Sequence, residues 1–134
     1  MLCAAVQARA LSFGAAELEK VNWESRQVTA VDVNGDGLND VAYINGIERS
    51  VDLLVQKKAP SLEPARRKEN TPPMTLTRFK RERIATEGAP SAFVFGDFGG
   101  NGKLELAVTT KKQGIVFLAP NKEGRWVETH RISD

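Results

Sequence analysis

The stretch Val28–Gly46, VTAVDVNGDGLNDVAYING, places a loop rich in Asp, Asn and Gly between two short runs of β-branched, aromatic and small residues. The flanking residue types favour extended strands, whereas Asp, Asn and Gly favour tight turns. The stretch therefore predicts two strands joined by the loop 32–40, and the rest of the chain can be compared with this unit.

The same unit recurs 65 residues further along the chain, where residues 91–110 read SAFVFGDFGGNGKLELAVTT. The ranges 24–54 and 89–119 align without a gap, with acids and glycines matched inside the loop and apolar residues matched outside it. The matched pairs are Asp32/Asp97, Gly35/Gly100, Gly37/Gly102, Asp40/Glu105, Ala42/Ala107, Val51/Val116 and Leu53/Leu118. Such self-similarity indicates an internal repeat.

Each copy predicts four short strands, because runs rich in Val, Ile, Phe, Leu and Thr alternate with turn residues. The predicted strands are 27–33, 41–44, 50–57 and 76–84 in the first copy, and 91–97, 106–109, 114–119 and 125–132 in the second. The runs VFGDF (94–98) and GIVFLA (114–119) are nearly all apolar, which is typical of strands covered on both faces. The chain is predicted to be all-β, with a lead-in at 1–22, a first repeat at 23–84 and a second repeat at 85–134.

The loop 32–40 has the donor pattern of a calcium site. Oxygen-bearing side chains occupy its positions 1, 3, 5 and 9, and position 7 can offer a backbone carbonyl. The predicted ligands are Asp32, Asn34, Asp36, Leu38 through its carbonyl, and Asp40. Ca²⁺ takes oxygen ligands of these kinds, and water can complete its shell. The other interpretation is a turn without metal, and the strict alternation of oxygen donors favours Ca²⁺.

The second loop is a degenerate version of the first. Its candidate ligands are Asp97, Asn101 and Glu105, whereas Gly99 has lost the donor at position 3 and Lys103 places a cation inside the loop. Two carboxylates in place of three predict a weaker site. A turn that keeps its shape without an ion is the favoured interpretation here.

Several other classes of protein are disfavoured by the sequence. An EF-hand needs Glu at position 12 of its loop, and that position is Tyr43. The chain has one Cys and one His, Cys3 and His130, and no Gly-x-Ser-x-Gly elbow, so no catalytic residue is proposed and the chain is expected not to be an enzyme. No apolar run approaches the ~20 residues that cross a bilayer.

The charge and the N-terminus leave two questions open. Nine Lys or Arg and three Glu lie between Lys57 and Arg83, around a Pro-rich insertion at 58–75. A solvated loop is the favoured interpretation and contact with a polyanion such as nucleic acid the minor one. The sequence MLCAAVQARALSFGAA at 1–16 is either the remnant of a secretory signal or an Ala-rich lead-in, because a full signal would need a basic start and a longer apolar run.

The two loop units, with the apolar strands that follow them, resemble the FG-GAP/VCBS repeat family, which also forms the N-terminal β-propeller of integrin α subunits. The resemblance covers residues 26–132 and departs from the pattern at Gly99 and at the insertion. It implies that each copy is one four-stranded antiparallel propeller blade, with Ca²⁺ held by Asp32, Asn34, Asp36, Leu38 and Asp40 and, in the second loop, by Asp97, Asn101 and Glu105.

The resemblance also implies a function and a location. Members of the family are mostly extracellular or periplasmic and act in adhesion or in binding protein or carbohydrate ligands. The alternative is an accessory propeller portion of a secreted enzyme whose catalytic residues lie outside this chain. Propellers usually close with about 4–8 blades, so two blades imply further blades in a longer chain, which is favoured, or self-association.

Overall fold

The computed structural model describes residues 19–58 and 78–133, and these residues form two four-stranded antiparallel sheets and no helix. The all-β prediction is therefore confirmed for this part of the chain. The predicted signal remnant and most of the Pro-rich insertion lie outside the described residues. The strands are β1 Ser25–Val31, β2 Asp40–Asn45, β3 Ser50–Gln56, β4 Phe79–Ala85, β5 Pro90–Gly96, β6 Glu105–Thr110, β7 Gly114–Pro120 and β8 Trp126–Ile132.

Each sheet is a simple meander, with the order β1-β2-β3-β4 in the first sheet and β5-β6-β7-β8 in the second. The main difference from the predicted strands is at the start of each loop. The first strand ends at Val31 and the fifth at Gly96, before the acidic residue that begins the loop. The carboxylates of Asp32 and Asp97 accept hydrogen bonds from N–H groups further along their own loops, and this turns the chain out of the sheet.

One hydrophobic core lies between the two sheets. Its buried members from the first sheet are Ala42, Ile44, Val51, Leu53 and Ile84, and those from the second are Phe93, Leu106, Val108, Val116 and Leu118. Burial of a side chain of this size contributes about 1.5–3 kcal/mol. The shared core is therefore the main interaction that holds the sheets together.

The β2–β3 hairpin of the first sheet and the equivalent β6–β7 hairpin of the second differ by one residue in register. In the first sheet, Tyr43 of β2 pairs with Asp52 of β3. The residues 65 positions later are Val108 and Phe117, but in the second sheet Val108 pairs with Val116 instead. The cause is the turn 111–113 between β6 and β7, which is one residue shorter than the turn 46–49 between β2 and β3. A separate difference is that the two sheets pack through opposite sides: Ala42 lies in the core, whereas its repeat equivalent Ala107 faces away from it although both have the same register with the preceding strand.

Among the residues that the structure describes, the second sheet is covered on one face only, so the prediction of two-sided burial for 94–98 and 114–119 is wrong for this part of the chain. Val94 and Phe98 are 55% and 46% exposed, and Ile115 and Phe117 are half-buried. Alternation explains this pattern, because Phe95, Val116 and Leu118 point to the core whereas their neighbours point away from it. We call the side with Val94, Ala107, Thr109, Ile115 and Phe117 the outward face of β5–β8.

Candidate functional site

The first loop is wrapped around the carboxylate of Asp32. Its Oδ1 accepts a hydrogen bond from the N–H of Asp36 at 3.0 Å, and its Oδ2 accepts one from the N–H of Gly37 at 2.8 Å. Gly35 and Gly37 have φ angles of 71° and 86°, which L side chains rarely adopt. The two glycines therefore allow the backbone to turn its N–H groups toward one acid.

Asn34 and Asp36, the next two predicted ligands, each accept one backbone N–H group from the same loop. The side-chain Oδ1 of Asn34 accepts a hydrogen bond from the N–H of Asp36 at 3.0 Å, and Oδ1 of Asp36 accepts one from the N–H of Leu38 at 2.9 Å. A carboxylate or carbonyl oxygen has two lone pairs, so one hydrogen bond leaves capacity for a second partner. The structure thus brings positions 1, 3 and 5 into one hydrogen-bonded turn.

Asp40, at position 9, connects the loop to the sheet. It is fully buried, with Oδ2 accepting the N–H of Val33 at 3.0 Å and Oδ1 accepting the N–H of Gln56 at 2.7 Å. A buried carboxylate is tolerated only where such partners replace water. Asp40 therefore fixes the start of the loop against the end of β3, and sequence spacing gave no signal for the role of Gln56.

The second loop adopts the same turn with fewer donors. Oδ1 and Oδ2 of Asp97 accept the N–H groups of Asn101 and Gly102 at 2.9 and 2.8 Å, and Oδ1 of Asn101 accepts that of Lys103 at 2.9 Å. The hydrogen bonds from Gly102 and then Asn101 lower the pKa of Asp97. Oε2 of Glu105 accepts the N–H of Gly99 at 3.1 Å, one position later than the contact that Asp40 makes with Val33.

The donor chemistry of the first loop fits Ca²⁺, since three carboxylates, an amide oxygen and a backbone carbonyl are hard oxygen ligands. The described residues nevertheless contain no group of three or more His, Cys, Asp or Glu side chains gathered closely enough to hold a metal ion. The carboxylates are instead bound to N–H groups of their own loop and, for Asp40, of β3. Calcium binding would use the remaining lone pairs of the side chains of Asp32, Asn34, Asp36 and Asp40, together with the backbone carbonyl of Leu38.

Both loops open onto a cleft of about 740 Å³ between the sheets. Asp32, Asn34, Asp97 and Lys103 line it from the loops, and Val55 and Trp126 line it from the strands. The ring of Trp126 contacts that of Phe95 edge-on, with 6.0 Å between the centroids, and also packs against the core. The cleft therefore combines an apolar wall, an indole ring and charged side chains from the two loops.

Trp23 and the single His lie apart from this cleft. Trp23 is 84% exposed before β1, and His130 is exposed on β8, where its ring lies 5.8 Å from that of Phe117. His130 is thus a surface residue of β8. In the described ranges, no helix has both the length and the apolar character needed to cross a membrane.

Comparison with known proteins yields no relative, since no protein-family model, curated protein or solved structure matches this chain.

Proposed function

We propose that the chain is a non-catalytic, calcium-stabilised module of the FG-GAP/VCBS type, made of two adjacent β-propeller blades and acting outside the cell or in the periplasm. Two antiparallel four-stranded meanders packed face to face support the blade assignment. β5 packs against β1 and β2, so the first strands of the two sheets lie nearest each other. In a propeller the first strand of every blade would lie next to the central axis.

The observation that carries the proposal is the matched geometry of the two loops. In both, a first-position Asp accepts two backbone N–H groups across a turn with two positive-φ glycines. The first loop keeps carboxylates at positions 1, 5 and 9, which are oxygen ligands of the kind that Ca²⁺ takes. Because Ca²⁺ would bind the folded loop and not the unfolded chain, its binding energy would add to the folding energy.

The cleft is the proposed place for a protein or carbohydrate ligand. An aromatic ring beside apolar walls, with a few polar groups at the rim, is the usual composition of such sites. Trp126 and Val55 supply the apolar part, whereas Asp32, Asp97 and Lys103 supply hydrogen-bonding and charged groups. Ca²⁺ in the first loop would fix one wall of the cleft and so prepare it for the ligand.

A thermal unfolding experiment tests the calcium proposal. The melting temperature in EDTA is compared with that in Ca²⁺, and a rise of about 10 °C is expected at free Ca²⁺ about 100-fold above the dissociation constant. Asp36→Ala removes a proposed ligand and is expected to abolish most of the rise. Asn39→Ala is the matched control, because Asn39 lies in the same loop but is outside the proposed ligand set.

A variant in each loop distinguishes the contributions of the two loops to calcium binding. Asp97→Ala is expected to reduce the rise by much less than Asp36→Ala, since the second loop has only two carboxylates. The proposal is contradicted if the unchanged protein melts at the same temperature in EDTA and in Ca²⁺. It is also contradicted if Asp36→Ala and Asn39→Ala respond equally to the ion.

A further inference from the structure

A pocket lined largely by aromatic rings lies at one end of the outward face of β5–β8, on the other side of the second sheet from the core. It has a volume of about 480 Å³ and is lined by Phe98, Gly99, Glu105, Phe117, Thr129 and His130. Three of these residues carry a ring and one carries a carboxylate, whereas none of the six is Lys or Arg. We call this site the aromatic pocket.

Strand register brings two of the rings together. Phe117 of β7 pairs with His130 of β8, and residues directly opposite each other share one face of a sheet. The centroids of the two rings are 5.8 Å apart. The register shifts between Phe117 and Leu118, so that Thr129 is the extra residue of a bulge in β8. The bulge explains why the consecutive residues Thr129 and His130 both line the aromatic pocket.

Phe98 supplies the third ring, which is 46% exposed. Its centroid lies 5.2 Å from that of Phe117, and the two ring planes meet at 77°. A Cβ built at Gly96 would lie 3.2 Å from Cζ of Phe98, so the ring rests on the bare backbone of this glycine. Gly96 pairs with Glu105 of β6, which is half-buried and holds the N–H of Gly99 through Oε2 at 3.1 Å. Two rings at nearly a right angle therefore stand beside a fixed carboxylate.

The first sheet shows that the fold does not require rings at these positions. The repeat equivalent of Phe117 is Asp52, which is fully buried, pairs with Arg83 on β4 and lies 3.6 Å from its Nε. The equivalent of Phe98 is Val33. The aromatic pocket is thus a property of the second repeat alone. Partly exposed rings that the scaffold does not need indicate an interaction surface.

The chemistry of the aromatic pocket favours an organic cation. The face of an aromatic ring is negative, so a cation within about 6 Å of its centroid is attracted, and cages of several rings hold quaternary ammonium groups in this way. The carboxylate of Glu105 adds a negative charge of the matching sign. We propose that the aromatic pocket binds a small quaternary ammonium compound, with its cation against Phe98, Phe117 and His130 and beside Glu105.

The surface next to the aromatic pocket indicates what else such a compound would carry. A dent of about 420 Å³ shares Phe98 and Phe117 with the aromatic pocket, and Val94, Ala107 and Ile115 give it an apolar wall. An apolar substituent on the nitrogen would fill this dent and be removed from water. Benzyltrimethylammonium is therefore expected to bind about tenfold more tightly than choline.

Binding is measured in EDTA by nuclear magnetic resonance, following the imidazole signals of His130 during titration with each compound. These signals report the aromatic pocket directly, because the chain contains one His. EDTA keeps Ca²⁺ away from Glu105, which is also a candidate ligand of the second loop. Choline and benzyltrimethylammonium are expected to shift the signals to saturation. The dimethylbutanol in which carbon replaces the nitrogen of choline should bind at least about tenfold more weakly, because it lacks the charge.

Two pairs of variants locate the binding site. Phe98→Leu is expected to weaken the binding of benzyltrimethylammonium by about 2–30-fold. Trp23→Leu, its matched control, removes a ring that is 84% exposed elsewhere and should leave the affinity unchanged. Glu105→Gln keeps an oxygen for the N–H of Gly99 but loses the charge, and is expected to weaken binding by about 2–5-fold. Glu123→Gln removes an exposed carboxylate between β7 and β8 and should have no effect.

The proposal is overturned if neither cation shifts the signals of His130, or if the neutral alcohol binds as tightly as choline. It is also overturned if Phe98→Leu binds like Trp23→Leu, or if Glu105→Gln binds like Glu123→Gln. The inference goes beyond the function proposed above and uses the second sheet alone. Because the calcium proposal is tested by melting temperature and this one by the signals of His130, either can fail without the other.

Discussion

The side-chain amide of Gln27 pairs with the main chain of Phe93 in both directions, donating from Nε2 to the carbonyl oxygen and accepting the N–H at Oε1 over 3.1 Å. This is the way a neighbouring strand would bond, but the partner belongs to the other sheet. Gln27 lies in an irregular part of β1, between Arg26 and Thr29, and has a φ of 48°. The local distortion of β1 therefore places an amide against the edge of β5.

Gln27→Ala is expected to lower the free energy of unfolding by about 1–3 kcal/mol, the value of two partly buried hydrogen bonds. Gln27→Gly is the matched variant, because it also loses the amide but relieves the unusual backbone angle. It should be less destabilising than Gln27→Ala. Urea unfolding followed by tryptophan fluorescence measures both, and equal stability of Gln27→Ala and the unchanged protein would contradict the role of the pairing.

Gly114→Ala is expected to destabilise the second sheet strongly. Gly114 begins β7 with a φ of 69°, and a Cβ built there would collide with the backbone carbonyl of Ile132 on β8. Gly124 has a similar φ of 77° but nothing within 4 Å of such a Cβ. Gly124→Ala should cost about 1–2 kcal/mol from its backbone conformation, and Gly114→Ala should cost about 1–3 kcal/mol more because of overpacking.

The comparison of these two glycines is made in the same urea unfolding experiment. Because both glycines have a left-handed backbone conformation, a difference in unfolding free energy between the two alanine variants must come from the collision with β8. Equal unfolding midpoints for the two variants would show that β8 moves aside without cost.

The pKa of Tyr43 is expected to lie above the ordinary value for tyrosine. Burial raises the pKa of its phenol, the Arg81 cation opposes this, and Asp52, which accepts the hydroxyl at 3.4 Å, raises it further. The folded pKa exceeds the unfolded pKa, so the stability that this contributes is complete below the unfolded value and is lost as pH rises through the folded value. Tyrosinate absorbance reports this residue directly, since the chain contains one Tyr.

Denaturation supplies the reference for that measurement. In concentrated urea the absorbance midpoint should fall to the ordinary value, because both the burial and the contact with Asp52 are gone. Identical midpoints in buffer and in urea would mean that Tyr43 is exposed to water in the folded protein.

The second loop should gain calcium affinity when its missing donor is restored. Gly99→Asp adds a third carboxylate at position 3, and the affinity of such sites increases with ligand charge. A Cβ at Gly99 would lie 3.1 Å from the side-chain nitrogen of Asn101 and 3.4 Å from Oε1 of Glu105, and both are ends of flexible side chains. The calcium-dependent rise in melting temperature is therefore expected to be larger in this variant than in the unchanged protein.

Gly99→Ala is the control for the added side chain, because it introduces a Cβ without an oxygen. Calorimetric titration with Ca²⁺ should detect a second binding event in Gly99→Asp and not in Gly99→Ala. The same isotherm for the two variants would argue against a calcium role for this loop.

The strands and loops could be predicted from the sequence because they depend on local properties. All eight strands follow from runs of β-branched and aromatic residues between Gly, Asn, Asp and Pro, and the sheet meanders follow from their short connections. The turn geometry at Asp32 and Asp97 follows from alternating oxygens and glycines, which act within a few residues of each other.

The interactions that bring distant segments together could not be predicted in this way. Neither the pairing of Gln27 with Phe93 nor that of Asp40 with Gln56 has a local signature, because each depends on how two separate strands are placed. The cleft that both loops share depends on the packing of the sheets in the same manner. Val94 and Phe98 were expected to be buried from their apolar character, but composition does not determine whether a second surface is present to cover them.

The shorter turn at 111–113 has a consequence for protein engineering. The ranges 24–54 and 89–119 align without a gap, yet Asp52 pairs with Tyr43 in one sheet whereas its counterpart Phe117 pairs with Ala107 in the other. A tandem array built from an averaged sequence of the two repeats would mix two incompatible hairpins, with a buried carboxylate at a position that the second hairpin fills with an aromatic ring. Designers who want a uniform array should copy one repeat whole, together with its own turn.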